Sequence, residues 1–320
     1  MKNMICKICN NTINNKFYEA KEMMFGLREK FDYFQCSNCD CLQILAFPED
    51  MSKYYPSNYY SFSTVISNGA IKKFIINQRN KFAIFNKGLL GKLLYNFYPN
   101  ETYKLLSATA IDKSNKVLDV GCGDGRFISA LKDIGFDNVL GADPFIDKDI
   151  QHENGLKIVK KSIHEMDGKW DFIMFHHSFE HIPDPAETLE SVAKLLTANG
   201  TCLIRIPTVS SYAWEYYREN WVQFDAPRHF FLHSVKSMEV LAAKANLKIE
   251  KIIYDSTEFQ FWGSEQYIMD VPLFDNKSYA VNPKASIFSD AEIGVFKKRS
   301  VELNATNQGD AAAFFITKKQ

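Results

Sequence analysis

No stretch of the 320 residues reaches the roughly 18 consecutive apolar residues that a membrane-spanning helix needs. No apolar leader follows the opening Met1-Lys2-Asn3-Met4-Ile5-Cys6, so the chain reads as cytoplasmic, with no membrane partner expected. Neither sign of charge is in excess, Lys plus Arg and Asp plus Glu each numbering 38. A protein that holds a polyanion by releasing its counterions needs a basic field, so no nucleic-acid partner is expected. Glycine and proline are sparse and form no low-complexity tract, while 46% of residues are hydrophobic, enough for a buried core. Cysteine is scarce too, and the seven present are an odd number without a secretory context, which argues against a disulfide framework.

Those cysteines are unevenly placed. Cys6-x-x-Cys9 and Cys36-x-x-Cys39 are two knuckles of the spacing that presents four thiolates to one tetrahedral metal ion. Four sulfurs close the coordination sphere, so the expected Zn2+ is structural. Cys41 is a spare ligand or a bystander, and Cys122 and Cys202 fall in apolar patterns as small buried hydrophobes. A zinc ribbon over residues 1–53 is followed by a linker and one or two helices over 54–105, the apolar residues from Ile71 to Phe97 recurring at helical spacing amid lysines. From Lys116 to Tyr254 short apolar runs alternate with helical patterns, which predicts an α/β core over 106–255, a mostly parallel sheet with helices on both faces. Residues 256–310 read as an insertion that closes a substrate pocket, and 311–320 as the last core strand.

The segment Val117-Leu118-Asp119-Val120-Gly121-Cys122-Gly123-Asp124-Gly125 joins an apolar strand to an amphipathic helix. Glycines let backbone amides approach a ligand near a helix N-terminus. Asp143 ends the next apolar strand, where a carboxylate can accept from both ribose hydroxyls. A dinucleotide loop would require Gly-x-Gly-x-x-Gly, but Arg126 follows Gly125, which disfavours nicotinamide redox chemistry. With Gly141-Ala142-Asp143, Trp170 to Phe175 and Leu195 to Thr201, the stretch from about Asn115 to Pro207 resembles the class I S-adenosylmethionine-dependent methyltransferases. The resemblance implies a Rossmann-like sheet of seven strands. It also implies a cofactor site that includes Gly123 and Pro144, with Asp119 and Gly121 at the methionyl end, Asp143 at the ribose, and Ser162 and Ile163 at the adenine. His176 and His177, which end the fourth core strand, would approach the methionine end.

Methyl transfer requires an aligned acceptor and often removal of its proton. Glu180 and His181 lie just past the fourth strand, at the sheet edge where ligands of such folds bind. His177 and His181, four apart, would suit a metal only if helical. A second cluster, Trp221 to His233, interleaves rings with polar groups: Trp221, Asp225 and Arg228 are candidates to hold a hydroxylated substrate, and His229 is a candidate base. Trp262, in the insertion, is a candidate to close the same pocket. The whole layout is similar to bacterial methyltransferases with an N-terminal zinc ribbon in sugar and surface-polysaccharide pathways, including sugar C-methyltransferases. That resemblance implies a nucleotide-sugar pocket framed by the Tyr54–Tyr60 segment, with Tyr59, together with His181 and His229. Arg228 stands where those enzymes often carry Glu, leaving O-methylation open. The competing readings are an RNA methyltransferase that uses its ribbon to hold substrate, and a protein that binds S-adenosylmethionine without turnover.

Overall fold

The computed structural model of the chain describes residues 4–55 and 69–319. The strands are β1 (Lys16–Lys21), β2 (Lys30–Gln35), β3 (Leu42–Ile44), β4 (Val117–Val120), β5 (Val139–Ala142), β6 (Ile150–Gln151), β7 (Lys157–Val159), β8 (Trp170–His176), β9 (Leu196–Pro207), β10 (Phe231–Leu232), β11 (Leu247–Tyr254) and β12 (Ala311–Lys318). The α-helices used below are α1 (Ala70–Phe85), α2 (Leu89–Phe97), α3 (Glu101–Leu106) and α4 (Arg126–Asp133). Eight strands form one sheet in the order β11-β12-β9-β8-β4-β5-β7-β6, a mixed Rossmann-like arrangement. The expected seven strands become eight because β6, two residues long and antiparallel to β7, is too short to carry a periodic pattern.

Contacts divide the chain into two units, Met1–Pro56 with Phe179–Glu187 and Arg205–Ala313, and Ser57–Ser178 with Thr188–Ile204 and Phe314–Gln320. In the first, β1, β2 and β3 form an antiparallel ribbon, and β10 adds a fourth strand with Leu232 opposite Leu42. The ribbon therefore takes a strand from a segment almost two hundred residues away. Tyr18, Tyr33, Leu42 and Ile44 of the ribbon share a buried cluster with Trp214, Trp221, Phe224 and Phe261. Such ring-rich burial gives a small ribbon the apolar area it cannot enclose alone.

In the second unit, β4 lies between β5 and β8, parallel to both. All four of its residues are buried, as expected of a strand covered on both faces. Helices α1 and α2 make a hairpin closed at Gly91, where an added Cβ would sit 2.5 Å from the Gln78 carbonyl oxygen. Helix α3, which apolar spacing did not reveal, starts where Asn100 accepts the Tyr103 amide at 3.3 Å.

Candidate functional site

In the second unit the chain bends sharply after β4. Gly121 has φ of +71°, and a Cβ there would lie 2.5 Å from the Cβ of Ser178. Ser178, just past β8, donates its hydroxyl to the Val120 carbonyl at 2.7 Å, tying the two strand ends together. Asp143 caps the bend from the tip of β5. Its Oδ2 accepts the Gly123 amide and its Oδ1 the Phe145 amide, each at 2.8 Å. Each oxygen keeps a second lone pair for another donor. Asp119 is buried, and burial, followed by the charge of Asp143, pushes its carboxyl well above the usual carboxylate range.

Rings line the end of β8. The Phe127 ring stacks on Tyr103 at 4.6 Å and meets His176 at 5.1 Å, and His176 lies 5.0 Å from His177. His177 has φ of +51°, a left-handed conformation uncommon for a residue with a side chain. Pro144 is half-buried beside Asp143, and Ser162 opens a short turn by a reciprocal cap with Glu165 that leaves Ile163 buried. Tyr103 and Phe127 were not singled out from the sequence, since an aromatic on an amphipathic helix reads as core.

In the first unit a second cluster forms around His229. The His229 Nδ1 lies 2.8 Å from the Gln223 carbonyl, and the His181 Nδ1 lies 2.8 Å from the Arg228 carbonyl. A carbonyl only accepts, so each imidazole donates from Nδ1 and carries its lone pair on Nε2 when neutral. Their rings are 4.8 Å apart. The Nε2 of His229 is 3.9 Å from Glu180 Oε1 and 3.7 Å from Asp225 Oδ2. Burial lowers the pKa of His181, outweighing the raising effect of Glu180.

Asp225 and Arg228, candidates from the sequence to hold substrate, bind each other. The fully buried guanidinium donates from Nε to both Asp225 oxygens at 3.0 Å, from Nη2 to Asp225 Oδ1 at 2.6 Å and Glu22 Oε1 at 2.8 Å, and from Nη1 to the Tyr54 carbonyl at 3.2 Å. Burial alone would raise the Asp225 carboxyl, but Arg228, then His229, hold it below the ordinary carboxylate range. Glu22 was not foreseen, because nothing in the spacing links a ribbon residue to a guanidinium two hundred positions on.

Two of the other expected substrate residues are buried. Trp221 is wholly buried and donates its indole N–H to Asp310 at 2.9 Å, a core position rather than a pocket wall. The Trp262 ring packs on Phe259 at 4.8 Å and Tyr279 at 5.3 Å. Tyr59 lies outside the described residues, but the hydroxyl of nearby Tyr55 is 3.4 Å from His181 Nδ1.

The ligand atoms of Cys6, Cys9, Cys36 and Cys39 all lie within 4.8 Å of one another. The Cys6 and Cys39 sulfurs are 3.5 Å apart and those of Cys9 and Cys36 3.4 Å, near the ~3.8 Å edge of a tetrahedron with bonds of about 2.3 Å. Backbone amides of Ile8 and Asn38 each approach a sulfur at 3.4 Å, and Gln43 Nε2 lies 3.2 Å from Cys6 Sγ. Donors arranged this way suit thiolates. Cys41 is buried outside the set, its Sγ 3.9 Å from His233 Nδ1.

The glycine bend between parallel strands, with an acidic residue on the adjoining strand tip, is the arrangement of a Rossmann-like domain that binds a nucleoside-containing ligand. Residues 95–252 match the family described as a methyltransferase domain. A ubiquinone biosynthesis O-methyltransferase from Bordetella avium is 28% identical over 43% of this chain and 63% of its own length, so the chain spans less than two thirds of that curated relative. Among solved structures, a methyltransferase dependent on S-adenosylmethionine from Archaeoglobus fulgidus is similar at 19% identity, covering 64% of this chain and 86% of that one, with a TM-score of 0.39. A cyclopropane synthase from Mycobacterium tuberculosis is similar at 14% identity, covering 65% and 80%, with a TM-score of 0.41.

Proposed function

We propose that this chain is a methyltransferase that alkylates a small hydroxylated acceptor, a nucleotide-linked sugar or another surface-polysaccharide intermediate, with His229 taking the acceptor proton. The observation that carries the reading is the pair of imidazoles held through Nδ1 on the carbonyls of Gln223 and Arg228. Both present an Nε2 lone pair, and Glu180 Oε1 and Asp225 Oδ2 stand 3.9 and 3.7 Å from that of His229. S-adenosylmethionine supplies the methyl group as a sulfonium. Asp119, the backbone at Gly121 and Gly123, Asp143, Pro144, Ser162, Ile163, His176 and His177 would hold it. The acceptor oxygen gains the methyl group, its proton passes to His229 and then to solvent, and S-adenosylhomocysteine leaves. Cys6, Cys9, Cys36 and Cys39 would hold a structural zinc ion, consistent with their mutual distances. Arg228, Asp225 and Glu22 are positioning residues in this reading, fixing the backbone that orients both imidazoles.

The test is incubation of the purified chain with S-adenosylmethionine and a panel of nucleotide-linked sugars, with mass spectrometry of the products. A sugar gaining one methyl group with equimolar S-adenosylhomocysteine supports the reading. Cofactor binding with no methylated sugar would overturn it in favour of another acceptor or a non-catalytic binder.

A further inference from the structure

The chain is neutral as a whole, but residues 69–100 contain six basic residues, Lys72, Lys73, Arg79, Lys81, Lys87 and Lys92, and no acidic one. The rest is therefore net acidic, and the positive charge is concentrated on the α1–α2 hairpin. The hairpin also exposes apolar side chains that its helices do not cover. On α2, Leu89, Leu93 and Phe97 recur every four residues with Leu90 beside them, a stripe on one helix face. Gly91 and Tyr95 sit on the other face, Gly91 against Gln78 and Phe82 and the Tyr95 ring against Phe82, so α2 packs on α1 through that side and turns its leucines outward. Leu89 is 89% exposed and Phe97 72%. At the start of α1, Ile71 is 79% exposed, with Phe74 and Ile75 also in solvent.

We infer that the α1–α2 hairpin docks on the surface of an anionic lipid bilayer, lying in the plane of the headgroups. An apolar stripe on a short helix flanked by lysines and without acidic residues is the pattern of helices that bury one face at the acyl boundary while their cations meet anionic headgroups. Lys72, Lys87 and Lys92 are exposed, whereas Lys73 pairs with Asp133 at 2.9 Å. Long lysine stems let the apolar face sink while the ammonium groups stay at headgroup level. Charge also argues against a second copy as the occupant, because another hairpin would bring the same exposed Lys72, Lys87 and Lys92 and no acidic residue of its own. Among the described residues no helix is long and apolar enough to cross a membrane, so the contact is superficial. The expectation of no membrane partner rested on the lack of a span, which a surface-lying hairpin does not need.

Flotation of the full chain with vesicles tests this, comparing phosphatidylcholine alone with an equal mixture of phosphatidylcholine and phosphatidylglycerol. The chain should float with the mixed vesicles only, and partitioning should weaken at high salt. Lys87→Glu with Lys92→Glu should lower the partition coefficient about tenfold or more, at roughly 1 kcal/mol per lysine near an anionic surface. Leu89→Ser with Leu93→Ser should abolish flotation while S-adenosylmethionine affinity, read by calorimetry, stays unchanged. No flotation of the wild-type chain, salt-insensitive flotation, or a dimer in light scattering that Leu93→Ser dissociates without any vesicle binding would each overturn the inference. None of these readouts depends on the identity of the methyl acceptor.

Discussion

Tyr33, on the second ribbon strand, donates its hydroxyl to the backbone carbonyl of His229 at 2.9 Å, both residues being buried. The ribbon thus reaches the histidine segment directly, and β3 pairs with β10 two residues further along. The ribbon in this arrangement clamps the polypeptide that carries His229.

Replacing Tyr33 with Phe keeps the ring against Phe224, 4.7 Å away, and removes only the hydroxyl. A buried carbonyl loses its partner, so unfolding free energy should fall by about 1–3 kcal/mol, read as a lower urea midpoint. Turnover should fall with it while S-adenosylmethionine affinity holds. An unchanged midpoint would mean that this bond does not anchor the segment.

His229→Ala removes the proposed base without touching the glycine bend. Turnover should drop by about 10² or more, with the dissociation constant for S-adenosylmethionine unchanged in calorimetry. Full activity would transfer the role to His181.

Asp310 accepts from the Trp221 indole, and burial raises its carboxyl to about 6 from an ordinary 3.8. The folded state therefore holds this proton more tightly than the unfolded chain, and its contribution to stability, complete below about 3.8, is lost as pH rises through about 6. Asp310→Asn keeps an acceptor for the indole and cannot ionise. Stability at pH 8 should exceed wild type by roughly 1–3 kcal/mol, with the gap closing below pH 4, as thermal or urea melts at both pH values would show.

Purified chain should carry one zinc ion by elemental analysis. Cys9→Ser should lose it and lower the melting temperature, because metal binding would contribute to the ribbon's free energy of folding. Zinc retained at full stoichiometry in that variant would remove Cys9 from the ligand set.

Asp143→Ala deletes the carboxylate at the tip of β5 that also accepts the Gly123 and Phe145 amides. Affinity for S-adenosylmethionine should weaken by about 2–4 kcal/mol, the order expected for losing two hydrogen bonds to a charged group. Equal affinity in a folded variant would place the cofactor elsewhere.

The parallel core was legible because its signals are local. Val117 to Val120 is an apolar strand apart from Asp119, and Gly121, Gly123 and Gly125 follow it at once. The four cysteines were legible for the same reason, their knuckles being coded by spacing. The strand β6, only two residues long, and helix α3 left no periodic trace. Around His229 the sequence offered Asp225 and Arg228 either as substrate ligands or as a pair that holds a packing loop, and the structure joins them to each other and to Glu22. Trp221 looked like a pocket wall and is core.

What the amino-acid order determined on its own is the set of elements whose information lies within a few turns of chain: the glycine bend, the alternating strands and helices, the spacing of the paired cysteines and the lysine-rich helical pattern from Ile71 to Phe97. Only the tertiary structure decided that β10 completes the ribbon sheet, that Glu22 and Asp225 neutralise Arg228, and that carbonyls of Gln223 and Arg228 set the tautomers of His229 and His181. The β10 pairing, the Glu22 contact and the bond from His181 to the Arg228 carbonyl join residues far apart in sequence, whereas Asp225 and Gln223 lie three and six residues from their partners. Whether a buried charge is a ligand or a strut depends on which distant partner desolvates it, and no local pattern carries that information.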